Sequence, residues 1–256
     1  MKKTKPRVHR ISQYLLDPTH PITFNVIGAG GNGSQVLSQL ARMDAALKAL
    51  QHPGLYVRVF DADSVSEANL ARQLFSRNDL GQNKASVLVT RINRFFNTSW
   101  KAFPMNYSKD LHKEVLGANF TISCVDSVKA RKQVWAALKG LKRNGDPYLH
   151  PYYWMDLGNA QHTGQFVLGT LLNQKGRVNT LPNVFEKFPE FSKQRSKQTG
   201  PSCSLAEALN KQDLFINSTL VQLAMQTIWK LFRETEITYH GAFINLQTLQ
   251  IATISI

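Results

Sequence analysis

The stretch FNVIGAGGNGSQVLSQLARM, Phe24 to Met43, changes character partway along. Ile22 to Ile27 reads as a buried strand, and from Asn32 to about Leu50 the apolar residues recur at helical spacing. Between them stand Gly28, Gly30 and Gly33 in the order G-x-G-x-x-G. The first glycine permits a tight turn, the second lets backbone approach a phosphate, and the third lets helix pack on strand. A helix starting there presents free N–H groups and the positive end of its dipole to an anion. The alternative is a glycine-rich turn without a ligand. Either way the stretch predicts a strand–turn–helix unit.

The remaining pattern extends that unit. LYVRVFDAD, from Leu55, predicts a second strand, and GQNKASVLVTRINRFF a helix. SWKAFPM and FTISCVD predict further strands, SVKARKQVWAALKGLKR another helix, and YYWMDLGNA and GQFVLGTLL two strands more. Strand alternating with helix gives an α/β fold with a Rossmann-like, doubly wound, mostly parallel sheet. SLAEALNKQDLFINSTLVQLAMQTIWKLFRE predicts helix, and YHGAFINLQTLQIATISI an antiparallel hairpin at the C-terminus. Residues 1–256 are expected to form one domain, with a basic N-terminal segment at 1–20 and a mobile crossover loop or lid at 173–202.

Lysine and arginine number 31 against 17 acidic residues, a net charge of +14. That balance points to anionic partners, whether nucleotides, nucleic acid or an acidic protein, or else to a solvated basic surface. No run of about 18 apolar residues occurs, so no membrane span is expected. The N-terminus lacks the pattern of a secretory signal. Cys124 and Cys203 stand in unlike contexts and make no disulfide framework, which predicts a reducing, cytoplasmic setting.

Asp61, at the tip of the second strand, suits the ribose hydroxyls of a nucleotide. A redox dinucleotide would satisfy the glycines and this acid. The residues after Asp61 favour a triphosphate instead. DADSVSEANLARQLFSRNDLGQNKA carries Asn69, Arg72, Gln73 and Lys84 just beyond the ribose acid. Two cations and amide donors there would crowd a nicotinamide, but they can neutralise β- and γ-phosphate oxygens through charge-assisted bonds. Asp126 ends an apolar strand at the carboxyl edge of the sheet, where ligands bind. Its place suits an acid that faces a ligand or the N-cap of the following helix, and the two can coexist. Arg131, one turn on, either orients Asp126 or solvates the helix.

GAGGNG, DADSV…NLARQLF…DLGQNKA and CVDSVKAR together resemble the ATP-binding core of the ubiquitin-activating superfamily, of the ThiF/MoeB/HesA type. TGPSCSLAEALNKQDLFIN and the terminal hairpin resemble the ThiF-related family of the PRTRC plasmid cassette. The resemblance implies ATP-dependent adenylation of a carboxylate, the C-terminal glycine of a small ubiquitin-like protein, with pyrophosphate released. It implies phosphate binding at Gly28, Gly30 and Gly33, ribose binding at Asp61, and triphosphate binding at Asn69, Arg72, Gln73 and Lys84. It implies Mg²⁺ at Asp126. It also implies a homodimer, in which Arg7 or Arg10 could act on the partner's site or belong only to a basic tail. Many relatives bind structural zinc through two C-x-x-C pairs; two cysteines cannot, so no structural zinc is expected. Cys124 reads as an inert core residue. Cys203 reads equally as an acceptor of the activated group or as a cysteine without chemistry near a helix start. Three other functions fit parts of the pattern: a tRNA-carboxylate activating and cyclising enzyme of the same fold, a non-catalytic nucleotide-binding adaptor in plasmid maintenance, and a nicotinamide oxidoreductase.

Overall fold

The computed structural model describes residues 7–142, 146–171, 180–192 and 205–256. In chain order the elements are β1 (His9–Arg10), α1 (Gln13–Leu16), β2 (Ile22–Ile27), α2 (Gly31–Ala49), β3 (Leu55–Phe60), α3 (Lys84–Phe96) and β4 (Lys101–Phe103). There follow α4 (Lys113–Leu116), β5 (Phe120–Ser123), α5 (Val128–Leu138), β6 (Tyr153–Asn159), β7 (Thr163–Thr170) and α6 (Val184–Lys187). The chain ends with α7 (Leu205–Lys211), α8 (Ile216–Glu234), β8 (Glu236–Ile237), β9 (Tyr239–Asn245) and β10 (Gln250–Ser255).

Eight of these strands form one sheet in the order β10-β9-β7-β6-β5-β2-β3-β4. The pairings from β4 through β6 are parallel, and those from β6 through β10 are antiparallel. The predicted α/β class, parallel core and C-terminal antiparallel hairpin are therefore all present. The chain runs from β2 outward through β3 and β4, then returns to lay β5 on the other side of β2. That reversal opens a crevice at the carboxyl ends of β2 and β5, the place where doubly wound sheets bind ligands.

Strand alternation divides the core in two. Phe24, Val26, Val57, Val59, Phe120, Ile122, Met155 and Leu157 face α2, α3 and α8. Ile27, Phe60 and Trp154 face the opposite way, toward α4, α5 and α6. The first face is mainly apolar; Phe24 and Phe120 stack across neighbouring strands with centroids 4.7 Å apart. Full burial of each such ring contributes roughly 1.5–3 kcal/mol. The second face also buries polar groups. Asn25 Nδ2 donates to the carbonyls of Val115 and Leu116, and the buried Arg58 guanidinium donates to those of Glu114 and Gly117. These groups satisfy the carbonyls that the short α4 leaves open at its C-terminal end.

Three local differences from the sequence reading have physical causes. The helical stretch from Ser204 to Glu234 is two helices, because Asp213 Oδ1 accepts the Phe215 N–H at 2.8 Å and turns the chain between α7 and α8. The strands before Asp61 and Asp126 stop at Phe60 and Ser123, so both acids stand on loops. Of the expected crossover at 173–202, residues 173–179 and 193–202 lie outside the described residues, while 180–192 carries α6, capped by Asn183 and Glu186. Among the described residues no helix is long and apolar enough to cross a membrane.

Candidate active site

A cavity of about 640 Å³ opens at the carboxyl ends of β2, β3, β5 and β6. Gly28, Gly30, Asp61, Arg72, Gln73, Lys84 and Asp126 all line it. Residues far apart in the chain thus meet because parallel strands end together.

The glycine turn is shaped by close approach. Gly28 has φ +90°, and a Cβ there would lie 2.9 Å from the Cys124 carbonyl oxygen. A Cβ on Gly33 would lie 1.9 Å from the Gly28 carbonyl oxygen, so Gly33 packs the helix against the turn and does not line the cavity. Asp61 closes the turn from the β3 side. Its carboxylate accepts the Ala29 N–H at 2.6 Å and the Asp63 N–H at 2.8 Å. Burial pushes this carboxyl up from its ordinary range, opposed by those two N–H groups and by Lys84.

Beyond Asp61 the loop and the start of α3 hold two cations in different states. Lys84 Nζ sits 3.1 Å from Asp63 Oδ2, the lysine nearly buried and Asp63 72% exposed. Arg72 has no carboxylate partner among the described residues. Its Nη1 donates to Gln212 Oε1, and its buried Nε has no acceptor. Burial pushes its guanidinium down from the ordinary value. Gln73 Oε1 and Asn32 Oδ1, on residues that also line the cavity, are buried without hydrogen-bond donors. Asn69 is placed elsewhere: it lies off the cavity lining, and its Oδ1 accepts from the Ser66 N–H at 2.9 Å and Ser66 Oγ at 3.1 Å, capping a 3₁₀ turn.

The opposite wall removes one of the readings posed for Asp126. Ser127 caps α5, its side chain accepting from the Ala130 N–H at 3.1 Å, so Asp126 is not the cap. Asp126 is exposed and lines the cavity. Arg131 neither orients Asp126 nor solvates the helix. It is buried, and its Nε lies 2.8 Å from both oxygens of buried Asp156. Its Nη2 donates to the carbonyls of Val125 and Leu157, each at 3.2 Å. Ser123 Oγ donates to Asp156 Oδ1 at 2.6 Å and accepts from Trp154 Nε1 at 2.8 Å. Burial pushes the Asp156 carboxyl up, countered by Arg131 and Ser123.

Cys124 lines the cavity beneath the glycine turn, where burial pushes its thiol up. Cys203 lies outside the described residues. Arg7 is exposed, and Arg10 Nε pairs with Glu236 of the same chain at 3.1 Å. Among the described residues, no three His, Cys, Asp or Glu side chains group to hold a metal ion. A Mg²⁺ ion needs less from the protein, since it typically takes one or two carboxylates together with substrate phosphates. Asp126, which has no hydrogen bond or ion pair among the described residues, suits that role.

Sequence reasoning missed Asn32, Asn159, Gln212 and Asn217, which all line the cavity. Asn32 donates to Asn159 at 2.9 Å, joining the first turn of α2 to the end of β6. Asn32 was visible inside the glycine stretch, and Asn159 by its place at a strand's carboxyl end. Gln212 and Asn217 lie inside the stretch TGPSCSLAEALNKQDLFIN, but nothing in their local spacing marks them as lining a site.

A profile described as the ThiF family matches residues 18–255. The solved structure of PaaA superposes with a TM-score of 0.60 at 16% identity, covering 92% of this chain and 64% of PaaA. Escherichia coli MccB solved with ATP gives 0.58 at 16% identity, covering 91% of this chain and 63% of MccB. MccB with AMPCPP and MccA gives 0.53 at 16% identity, with 91% and 63% covered. The chain thus spans less than two thirds of the length of these structures, and at such identity the likeness is one of fold. No curated protein sequence matches.

Proposed function

The chain belongs to the ThiF family, and from that premise we propose that it is an ATP-dependent adenylyltransferase acting on a carboxylate, the C-terminal glycine of a small ubiquitin-like protein. The observation that carries this reading is one cavity lined by the glycine turn, Asp61, Arg72, Lys84 and Asp126, with polar atoms left without partners. Buried groups of that kind are costly unless something fills them, and a nucleotide triphosphate offers what they lack. MccB, of the same fold, was solved with ATP. The PRTRC-like branch and a homodimeric assembly are part of the proposal.

Each residue then has a task. The N–H groups that follow Gly30 receive phosphate oxygens at the start of α2, while Asp61 holds the Ala29 N–H. Asp61 accepts from the ribose hydroxyls. Lys84 exchanges an exposed partner, Asp63, for phosphate, at small cost because exposed ion pairs contribute little. Arg72 places its fork on the triphosphate. An oxygen of the substrate carboxylate attacks the α-phosphorus, the bond to the bridging oxygen breaks, and pyrophosphate leaves with the electron pair. Arg72 and Lys84 stabilise the charge gathering on the departing group. Asp126 would hold Mg²⁺, which when bound supplies further charge neutralisation. Asn69 contributes by shaping the turn that carries Arg72, or turns to the phosphates once they are present. Cys203 either takes up the acyl group afterwards or has no chemistry.

The test is direct. ATP with Mg²⁺ should bind in calorimetry and NAD should not compete. ATP labelled at the α-phosphate should then transfer adenylate to a ubiquitin-like protein ending in Gly-Gly. Tight NAD binding without ATP binding would sink the proposal, and labelling of tRNA alone would move the substrate to the tRNA reading, which the +14 charge also suits. ATP binding with no adenylate transfer to either would leave the adaptor reading.

A further inference from the structure

We infer that Gln212 is a positioning residue that occupies the phosphate place on Arg72 until ATP displaces it; this rests on the ATP reading above. Arg72 is a guanidinium in a nucleotide-sized cavity whose charge no acid offsets among the described residues. The acceptor it does have is a neutral amide oxygen, contributed from 140 residues further along the chain. Gln212 Oε1 also accepts from Asn217 Nδ2 at 3.4 Å, and Asn217 is packed against Gly31 so closely that a Cβ on that glycine would lie 2.6 Å from Nδ2. The amide oxygen is therefore held beside the glycine turn, within the same cavity.

The backbone that carries Gln212 is anchored without its side chain. The Asp213 N–H donates to the Gln161 carbonyl at 2.9 Å, and Gln161 Nε2 donates to the Asn210 carbonyl at 2.9 Å. Asp213 Oδ1 holds the Phe215 N–H. The elbow between α7 and α8 thus stays on the β6–β7 turn while the Gln212 side chain swings off. A phosphate oxygen carries charge and an amide oxygen does not, so ATP wins the exchange. In its absence the amide keeps Arg72 partly satisfied.

Two substitutions should shift affinity in opposite directions. Gln212→Met keeps the volume and removes the competing oxygen, so ATP–Mg²⁺ should bind about three- to tenfold more tightly in calorimetry. Gln212→Glu puts a carboxylate on Arg72, and ATP should bind about tenfold or more weakly, with Mg²⁺ held constant. AMP lacks the β- and γ-phosphates and should bind both variants as it binds the unaltered protein. Shifts in the same direction, no shift, or equal shifts for AMP and ATP would each overturn the inference. Failure of the unaltered protein to bind ATP would instead overturn the ATP reading.

Discussion

The two walls of the cavity are built on opposite principles. The wall beyond β3 carries Arg72 and Gln73 on a loop of short turns and Lys84 on the first turn of α3, and leaves Arg72 Nε and Gln73 Oε1 without partners. The wall formed by β5, β6 and α5 closes its polar groups among themselves: Arg131, Asp156, Ser123 and Trp154 bond in one buried network. Both walls contain an arginine that lines the cavity. One has its charge matched by a buried carboxylate, and the other has only an amide. The difference teaches which cation is available to a ligand. Arg131 holds the shape of the site by tying Val125 and Leu157 together, while Arg72 waits for a partner the protein does not supply.

The sharpest way to break this comparison is Arg131→Met. Removing one partner of a buried pair leaves Asp156 uncompensated, and the fold should lose about 3–5 kcal/mol in denaturant unfolding. Little loss of stability together with lost ATP affinity would make Arg131 a ligand-facing residue after all. Arg72→Ala should do the reverse. Stability should stay within about 0.5 kcal/mol, while adenylate transfer falls by about 10²–10³-fold, in kcat more than in KM for ATP. An unchanged rate would remove Arg72 from the site.

Asp126→Asn sharpens the comparison, because Asp126 is the ligand-ready exception on the closed wall. Since Ser127 is the cap, folding should be unaffected, and transfer should fall by about two orders of magnitude with a raised Mg²⁺ requirement. Near-normal Mg²⁺-dependent turnover in a folded variant would refute its metal role. The smallest expected effect is that of Ser127→Ala: about 1 kcal/mol of stability, from the lost cap, with the catalytic rate nearly intact. A large activity loss there would mean that α5's first turn acts on the ligand itself.

Much of this site was legible in advance. The glycine turn, Asp61, the Arg72–Lys84 loop and Asp126 each carry a local signature, and each lies at the end of a strand or at a turn whose geometry neighbouring residues dictate. The cap at Ser127 was not distinguished from Asp126, because two adjacent capping residues offer the same signal and only φ and ψ choose between them: Ser127 is extended, at −115° and 146°. The break between α7 and α8 was hidden because its residues continue a helical pattern, and the turn is stabilised from outside by Gln161.

The local chain chemistry therefore determined the elements, the alternation that buries one face of each strand, and the positions facing the carboxyl edge, since these depend on spacings of a few residues. Tertiary structure alone decided which distant groups meet. Arg131 finds Asp156 because parallel pairing places Ser123 opposite Asp156. Arg72 finds Gln212 because α8 packs against α2 and brings the elbow before it to the glycine turn. Strand register and helix packing are properties of the whole sheet, summed over many weak contacts, and no window of sequence around Arg131 or Arg72 contains them.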